Sequence, residues 1–181
     1  MIGQYTPGAS AAGCVRLQPT SHNGGMGDSN PEVTIIQFND AGEKEGAVRL
    51  KKVERPDAEW KAVLNPEQFY VTRKQSTDPP FTGSYYKLHT AGLFRCVCCG
   101  TALFASDTKF DSGTGWPSFW SPLAEENVRT HTDTSLFMER TEVACALCGA
   151  HLGHVFDDGP PPTNLRYCIN ESALRFVSRA G

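Results

Sequence analysis

The 181-residue sequence predicts a mainly β, antiparallel chain with short peripheral helices, and two observations carry that reading. Beyond residue 92 the chain is made of brief apolar stretches punctuated by Gly, Pro, Asp and Thr: Leu93 to Arg95, Val128 to His131, Leu136 to Met138, Val143 to Ala144 and Leu165 to Ile169. Short strands at such spacing, without a βαβ alternation, are the pattern of antiparallel sheets. The other observation is a pair of knuckles, CVCCG at residues 96–100 and CALCG at 145–149. In a C-x-x-C knuckle a tight turn aims both sulfurs at one ion, and the glycine that follows lets the backbone curl without a side-chain clash. Cys96, Cys99, Cys145 and Cys148 therefore read as four thiolate ligands of one zinc ion. Such a set leaves no coordination position open, so the site is expected to be structural. Two redox pairs or disulfides are the alternative, although a redox pair ordinarily appears once, beside a βαβ unit.

In chain order, residues 1–31 are Gly, Ser, Ala, Pro, Asn and Thr with few large apolar side chains. They bury too little to offset the entropy of ordering and read as a disordered tail. Residues 32–63 form an N-terminal extension in which Val33 to Phe38 and Ala47 to Val53 read as strands of a hairpin, joined through Asn39-Asp40-Ala41-Gly42. Asn65, Pro66 and Glu67 supply a cap and then a proline at the first helical position, so PEQFYVT is expected to be a short helix. Residues 64–181 form the domain in which chemistry is expected, with the two knuckles in adjoining loops at one end of the sheets.

A formal charge of -3 and a pI near 5.9 leave no broad basic footprint, which argues against nucleic acid as a partner. No apolar run approaches the ~20 residues of a membrane span. Of seven cysteines, Cys14, Cys98 and Cys168 fall outside the ligand set. Free thiols beside a thiolate-bound metal point to a reducing compartment, and the cytoplasm is the expected location. Met1 to Ser10 supplies neither the basic start nor the apolar stretch of a targeting signal.

Three segments could carry chemistry. Cys168 lies in Arg166-Tyr167-Cys168-Ile169-Asn170, a strand-like run. A lone cysteine is often a small buried hydrophobe. Here Arg166, two residues away on the same strand face, could favour the thiolate, and Asn170, two residues the other way, offers an amide to a polar substrate group. His151 and His154, in HLGHVFDD, could be ligands or structural histidines, but four sulfurs already close the metal site, which favours acid–base or hydrogen-bonding work. Trp116 and Phe119, in GWPSFW, could be plain core or could wall an apolar pocket for a methyl or thioether group.

Together these segments resemble the methionine-R-sulfoxide reductase family of B type, the selenoprotein R-like enzymes. The resemblance covers roughly Leu64 to Val177 and rests on LNPEQFYVTR, PFTGSYY, CVCCGTALF, KFDSGTGWPSF, CALCGAHLGHVFDDGP and RYCINESALRF, in family order. It implies two small antiparallel sheets, Cys168 as the catalytic cysteine, a substrate pocket that includes Trp116, His151, His154 and Asn170 with Phe119 beside it, and Arg166 among the substrate-binding residues. The implied reaction is thiol-dependent repair of peptide-bound methionine-R-sulfoxide. Cys168 would attack the sulfoxide, pass through a sulfenic acid, and be regenerated by thioredoxin or another thiol. Relatives with a resolving cysteine commonly carry it just before GWPSF, where this chain has Thr114, so Cys14, Cys98 or an external thiol must serve. A zinc-ribbon interaction module without activity and a thiol peroxidase or disulfide reductase are the competing readings; the first needs neither Cys168 nor the histidines, the second needs no Trp116 pocket.

Overall fold

The structure is a computed structural model that describes residues 30–134 and 139–179. The expected strand Leu136 to Met138 and the tail with Cys14 lie outside the described residues, apart from Asn30 and Pro31 at the tail's end. Those two already belong to the fold: the Asn30 amide donates to the Lys52 carbonyl, and Lys52 N–H donates to the Pro31 carbonyl.

The N-terminal hairpin forms as expected, from β1 (Glu32–Phe38) and β2 (Lys44–Lys51), paired antiparallel from Glu32↔Lys51 to Phe38↔Lys44. Gly42, at φ +86°, turns the chain, and its N–H donates to the Asn39 carbonyl. Only β1 has a buried face, through Val33, Ile35 and Ile36, so the hairpin gains its stability by docking rather than by its own pairing. Two short helices follow. α1 (Asp57–Val63), which no cap motif announces, is pinned by the buried Trp60, between the guanidinium groups of Arg55 and Arg73 at 5.3 and 4.6 Å from its ring. α2 (Pro66–Lys74) starts at Asn65 with a reciprocal capping box: Asn65 Oδ1 accepts from Gln68 N–H, and Gln68 Oε1 accepts from Asn65 N–H.

The remaining strands make two antiparallel sheets. One has three strands in the order β11 (Leu174–Ser178), β3 (Gly92–Cys96), β4 (Ala102–Ala105). The other has six, in the order β5 (Lys109–Phe110), β6 (Ser118–Phe119), β10 (Arg166–Ile169), β9 (His151–Phe156), β8 (Arg140–Cys145), β7 (Val128–Asp133). With the hairpin that gives three sheets among the described residues, two of them in the region the resemblance covers. The sheets face each other through aromatic rings: Phe94 of β3 and Phe104 of β4 meet Phe119 of β6, with centroids 5.0 and 4.5 Å apart, and Tyr167 of β10, paired opposite Phe119, also meets Phe104. Among the described residues no helix is long and apolar enough to cross a membrane.

Asn127 ties the hairpin to this body. It is fully buried, just before β7; its Oδ1 accepts from Ile36 N–H at 2.7 Å, while its Nδ2 donates to the carbonyls of Ile36 and Ala102 at 2.9 and 2.7 Å. Its own carbonyl accepts from Ala146 N–H inside the second knuckle. The side chain thus completes a hairpin strand and β4, and the backbone carbonyl of the same residue completes the second knuckle. Asn127→Ala would strand three buried backbone groups at about 1 kcal/mol or more each. Its urea unfolding curve should therefore show a loss of about 3 kcal/mol, whereas a loss below about 1 kcal/mol would mean that the hairpin is held by apolar burial alone.

Candidate active site and metal centre

Cys96 ends β3 and Cys145 ends β8, so each knuckle is the turn at the end of a strand, one in each large sheet. Gly100 and Gly149 close the turns at φ +79° and +66°, donating N–H to the carbonyls of Cys96 and Cys145 at 2.8 Å. The four sulfurs of Cys96, Cys99, Cys145 and Cys148 lie within 4.8 Å of one another. The two closest cross pairs are Cys96–Cys148 at 3.6 Å and Cys99–Cys145 at 3.5 Å, far longer than a disulfide. A tetrahedral ion with metal–sulfur bonds of about 2.3 Å needs sulfurs about 3.8 Å apart, so the set can hold a metal ion. Arg73 of α2, which the sequence reading did not single out, lies against the cluster: Nη1 donates to the Cys148 carbonyl at 3.0 Å and Nη2 stands 3.8 Å from Cys148 Sγ. Its charge offsets part of the negative charge that four thiolates concentrate. Cys98 lies outside the four, 3.9 Å from the same guanidinium.

The second knuckle feeds β9, and β9 pairs with β10 in a register that sets Cys168 directly opposite His154. On the other side Cys168 faces Ser118 of β6. Gly153 makes the approach of β9 to β10 feasible, since a Cβ there would sit 2.1 Å from the Cys168 carbonyl oxygen. Strand alternation should place residues three apart on opposite faces. β9 escapes this because Val143↔Gly153 is followed by Ala144↔His151, an irregularity that leaves Leu152 without an opposite number. His151 and His154 then meet edge to face, with centroids 5.5 Å apart.

Cys168, His154, Trp116 and Asn170 share one cleft of about 130 Å³, with Thr77 and Arg140 completing its wall. Burial pushes the Cys168 thiol pKa up; the nearby Arg166 charge and a hydroxyl contact from Thr114, whose Oγ1 is 4.0 Å from Sγ, oppose it without prevailing. Each histidine is backed by a carboxylate, Glu142 from the adjoining strand β8 and Asp133 from β7 one strand further on. His154 Nε2 lies 2.8 Å from Asp133 Oδ2, which also accepts from Arg140 at 2.7 Å, and His151 Nδ1 lies 2.7 Å from Glu142 Oε1. Desolvation holds the His154 pKa below the ordinary histidine value, with the Asp133 hydrogen bond pulling the other way. The half-buried Trp116 is anchored by its indole N–H, which donates to the Asp78 carbonyl at 2.9 Å.

The predicted residues thus divide. Cys168, His154, Trp116 and Asn170 converge, although Asn170 is largely engaged: Oδ1 accepts from Asp78 N–H and Nδ2 donates to the Leu152 carbonyl. His151 is buried at 3 % exposure and lines the neighbouring depression with Glu142 rather than the Cys168 cleft. Arg166 grips Asp158 through two bonds of 2.8 and 2.9 Å and lies over Phe156, acting on Cys168 through its charge. Phe119 does not line the cleft; it is fully buried between the sheets, because the alternation that points Ser118 toward Cys168 turns Phe119 into the core. The sequence reading missed Asp133, Arg140, Glu142, Thr77 and Asp78. A charged residue near a strand end carries no local signal of which histidine it will meet.

Residues 64–178 match the SelR domain family. The chain is 53% identical over 132 residues to the peptide methionine sulfoxide reductase MsrB of Hahella chejuensis, covering 73% of this chain and 95% of that protein. It is 56% identical over 126 residues to the enzyme of the same name from Herminiimonas arsenicoxydans, covering 70% and 92%. Against that of Pseudomonas fluorescens the figures are 54% over 130 residues, covering 72% and 99%.

Two outcomes are expected of this geometry. Metal analysis of purified variants should find the content lost in Cys99→Ser and retained in Cys98→Ser; equal content in both would defeat the ligand assignment. Alkylation of Cys168 by iodoacetamide, followed by mass spectrometry of its peptide, should accelerate with pH to a midpoint above that of an unstructured peptide cysteine, because the thiolate reacts and burial opposes its formation. A midpoint below the peptide's would show that Arg166 and Thr114 outweigh desolvation.

Proposed function

The chain belongs to the SelR domain family of peptide methionine sulfoxide reductases, and from that membership we propose that it reduces the R epimer of methionine sulfoxide in proteins with Cys168 as nucleophile. The observation that supports this most is the cleft itself, where one thiol, one indole and one carboxylate-backed imidazole border the same small volume. The Trp116 ring takes the S-methyl group, and His154 and Asn170 face the sulfoxide oxygen. The S epimer exchanges those two directions and loses both matches.

The chemistry is an oxygen transfer. A sulfoxide oxygen leaves poorly unless protonated, and Cys168 rests as a thiol, so one proton must move from Sγ to that oxygen. An ionised Asp133 only accepts, which places the ring hydrogen of neutral His154 on Nε2 and leaves Nδ1 to take the thiol proton and hand it on. The Cys168 S–O bond forms as the substrate S–O bond breaks. Cysteine is oxidised to the sulfenic acid, and the sulfoxide becomes a thioether. His151 with Glu142 stands behind this pair and fixes the strand that carries it.

Zinc is the metal this centre is built for, one ion per chain, because four thiolates suit it in a closed tetrahedral set. When bound it would tie the two large sheets without entering the reaction. An external thiol such as thioredoxin restores Cys168, since Cys98 sits at the metal cluster and Thr114, beside Sγ, cannot form a disulfide. Repair by a free thiol also fits the reducing cytoplasm.

The decisive test offers purified protein the separate R and S epimers of dabsylated methionine sulfoxide, with dithiothreitol as reductant. Only the R epimer should turn over, Cys168→Ser should keep its metal and lose activity, and dimedone should trap a sulfenic acid on Cys168. Reduction of the S epimer alone, or of neither, overturns the proposal.

A further inference from the structure

The cleft holding Cys168, about 130 Å³ or roughly four water volumes, has room for the end of a methionine sulfoxide side chain but not for the polypeptide that bears it. Two depressions adjoin it. One shares Thr77, Arg140 and His154 with it. The other, about 210 Å³, shares Trp116 and is lined beyond it by Pro79, Thr82, Gly115 and Glu171. The segment 77–83 borders all three, Thr77 on the cleft and the first depression, Asp78, Pro79, Thr82 and Gly83 on the second.

Phe81 stands in this segment, 58 % exposed, at φ +64°. An aromatic residue held in the left-handed region is uncommon and costs of order 1–3 kcal/mol, so the surroundings must enforce it. They do: its N–H donates to the Gly115 carbonyl at 3.0 Å, and its ring lies so close over Gly115 that a Cβ there would come within 2.8 Å of it. Tyr86 supports the ring edge to face at 5.7 Å. Gly115 separates Thr114, beside Cys168, from Trp116, in the cleft wall. An apolar face is thus kept exposed, at a conformational cost, against Gly115, which lines the second depression.

We propose that Phe81 and the depression beside Trp116 form a second subsite, which takes the extended polypeptide flanking the sulfoxide and packs an apolar neighbouring side chain on the Phe81 ring. This rests on the reading of Cys168 as a reductase centre and adds to it a sequence preference. The occupant follows from continuity, because Trp116 borders both the reaction cleft and this depression, and the chain attached to a bound sulfoxide leaves the cleft past it.

Steady-state kinetics of the full-length protein test it with three R-sulfoxide substrates: N-acetylmethionine sulfoxide, an octapeptide with leucines flanking the sulfoxide, and the same peptide with aspartates there. Phe81→Gly keeps the left-handed backbone available and removes only the ring. The leucine peptide should show KM raised about tenfold with kcat unchanged, the size expected for losing part of one aromatic contact. Its advantage over the aspartate peptide should collapse, kcat/KM for N-acetylmethionine sulfoxide should hold within about twofold, and Phe81→Tyr should restore the wild-type pattern. An unchanged KM for the leucine peptide, or an equal loss on all three substrates with kcat falling, overturns the subsite. Failure of the wild-type protein to reduce any of the three would instead sink the reductase reading, so the two failures are distinguishable.

Discussion

Four sulfurs brought within 4.8 Å of one another are the constraint on which the rest of the structure depends. Cys96 belongs to the three-stranded sheet and Cys145 to the six-stranded one, so the cluster is the joint at which the sheets meet. Left without an ion, thiolates so placed would repel; joined by one, they fix the end of β8 and the start of β9. That hairpin carries both histidines, and its outer strand sets the register of β10 and hence of Cys168. The position of Cys168 against His154 therefore depends on strands that begin and end at the cluster.

The site balances opposing effects rather than simply activating a thiol. Burial of Cys168 disfavours the thiolate, and Arg166, itself engaged by Asp158, recovers only part of the loss. Desolvation lowers the His154 pKa, and Asp133 holds its Nε2 at 2.8 Å. Burial thus disfavours the charged form of both groups, raising the pKa of Cys168 and lowering that of His154.

The hairpin at residues 32–51 lies outside the segment that matches the SelR domain, yet it is not an appendage. Asn127 joins it to β4 and to the second knuckle, Val53 N–H donates to the Leu147 carbonyl within that knuckle, and Arg95 of β3 reaches back to Phe38 and Asp40. The extension therefore packs against both cysteine turns. In the sequence it was legible only as a hairpin, since neither strand names the surface it will cover.

What the sequence determined by itself is the local chemistry. The knuckles declare their ligands because two-residue spacing and a following glycine are properties of a single turn. Asn65-Pro66 declares a helix start, and the order of several motifs declares the family. What only the tertiary structure decided depends on register and on side chains distant in sequence. The bulge opposite Val143 puts His151 and His154 on one face against the rule of alternation, and the register of β9 with β10 places one of them at Cys168 and the other behind it. Asp133, Glu142 and Asp78 acquire their roles from partners that pairing and packing bring to them. Phe119 belongs to the core for the same reason, because which face of a two-residue strand points inward is fixed by the sheet packed against it and not by the strand.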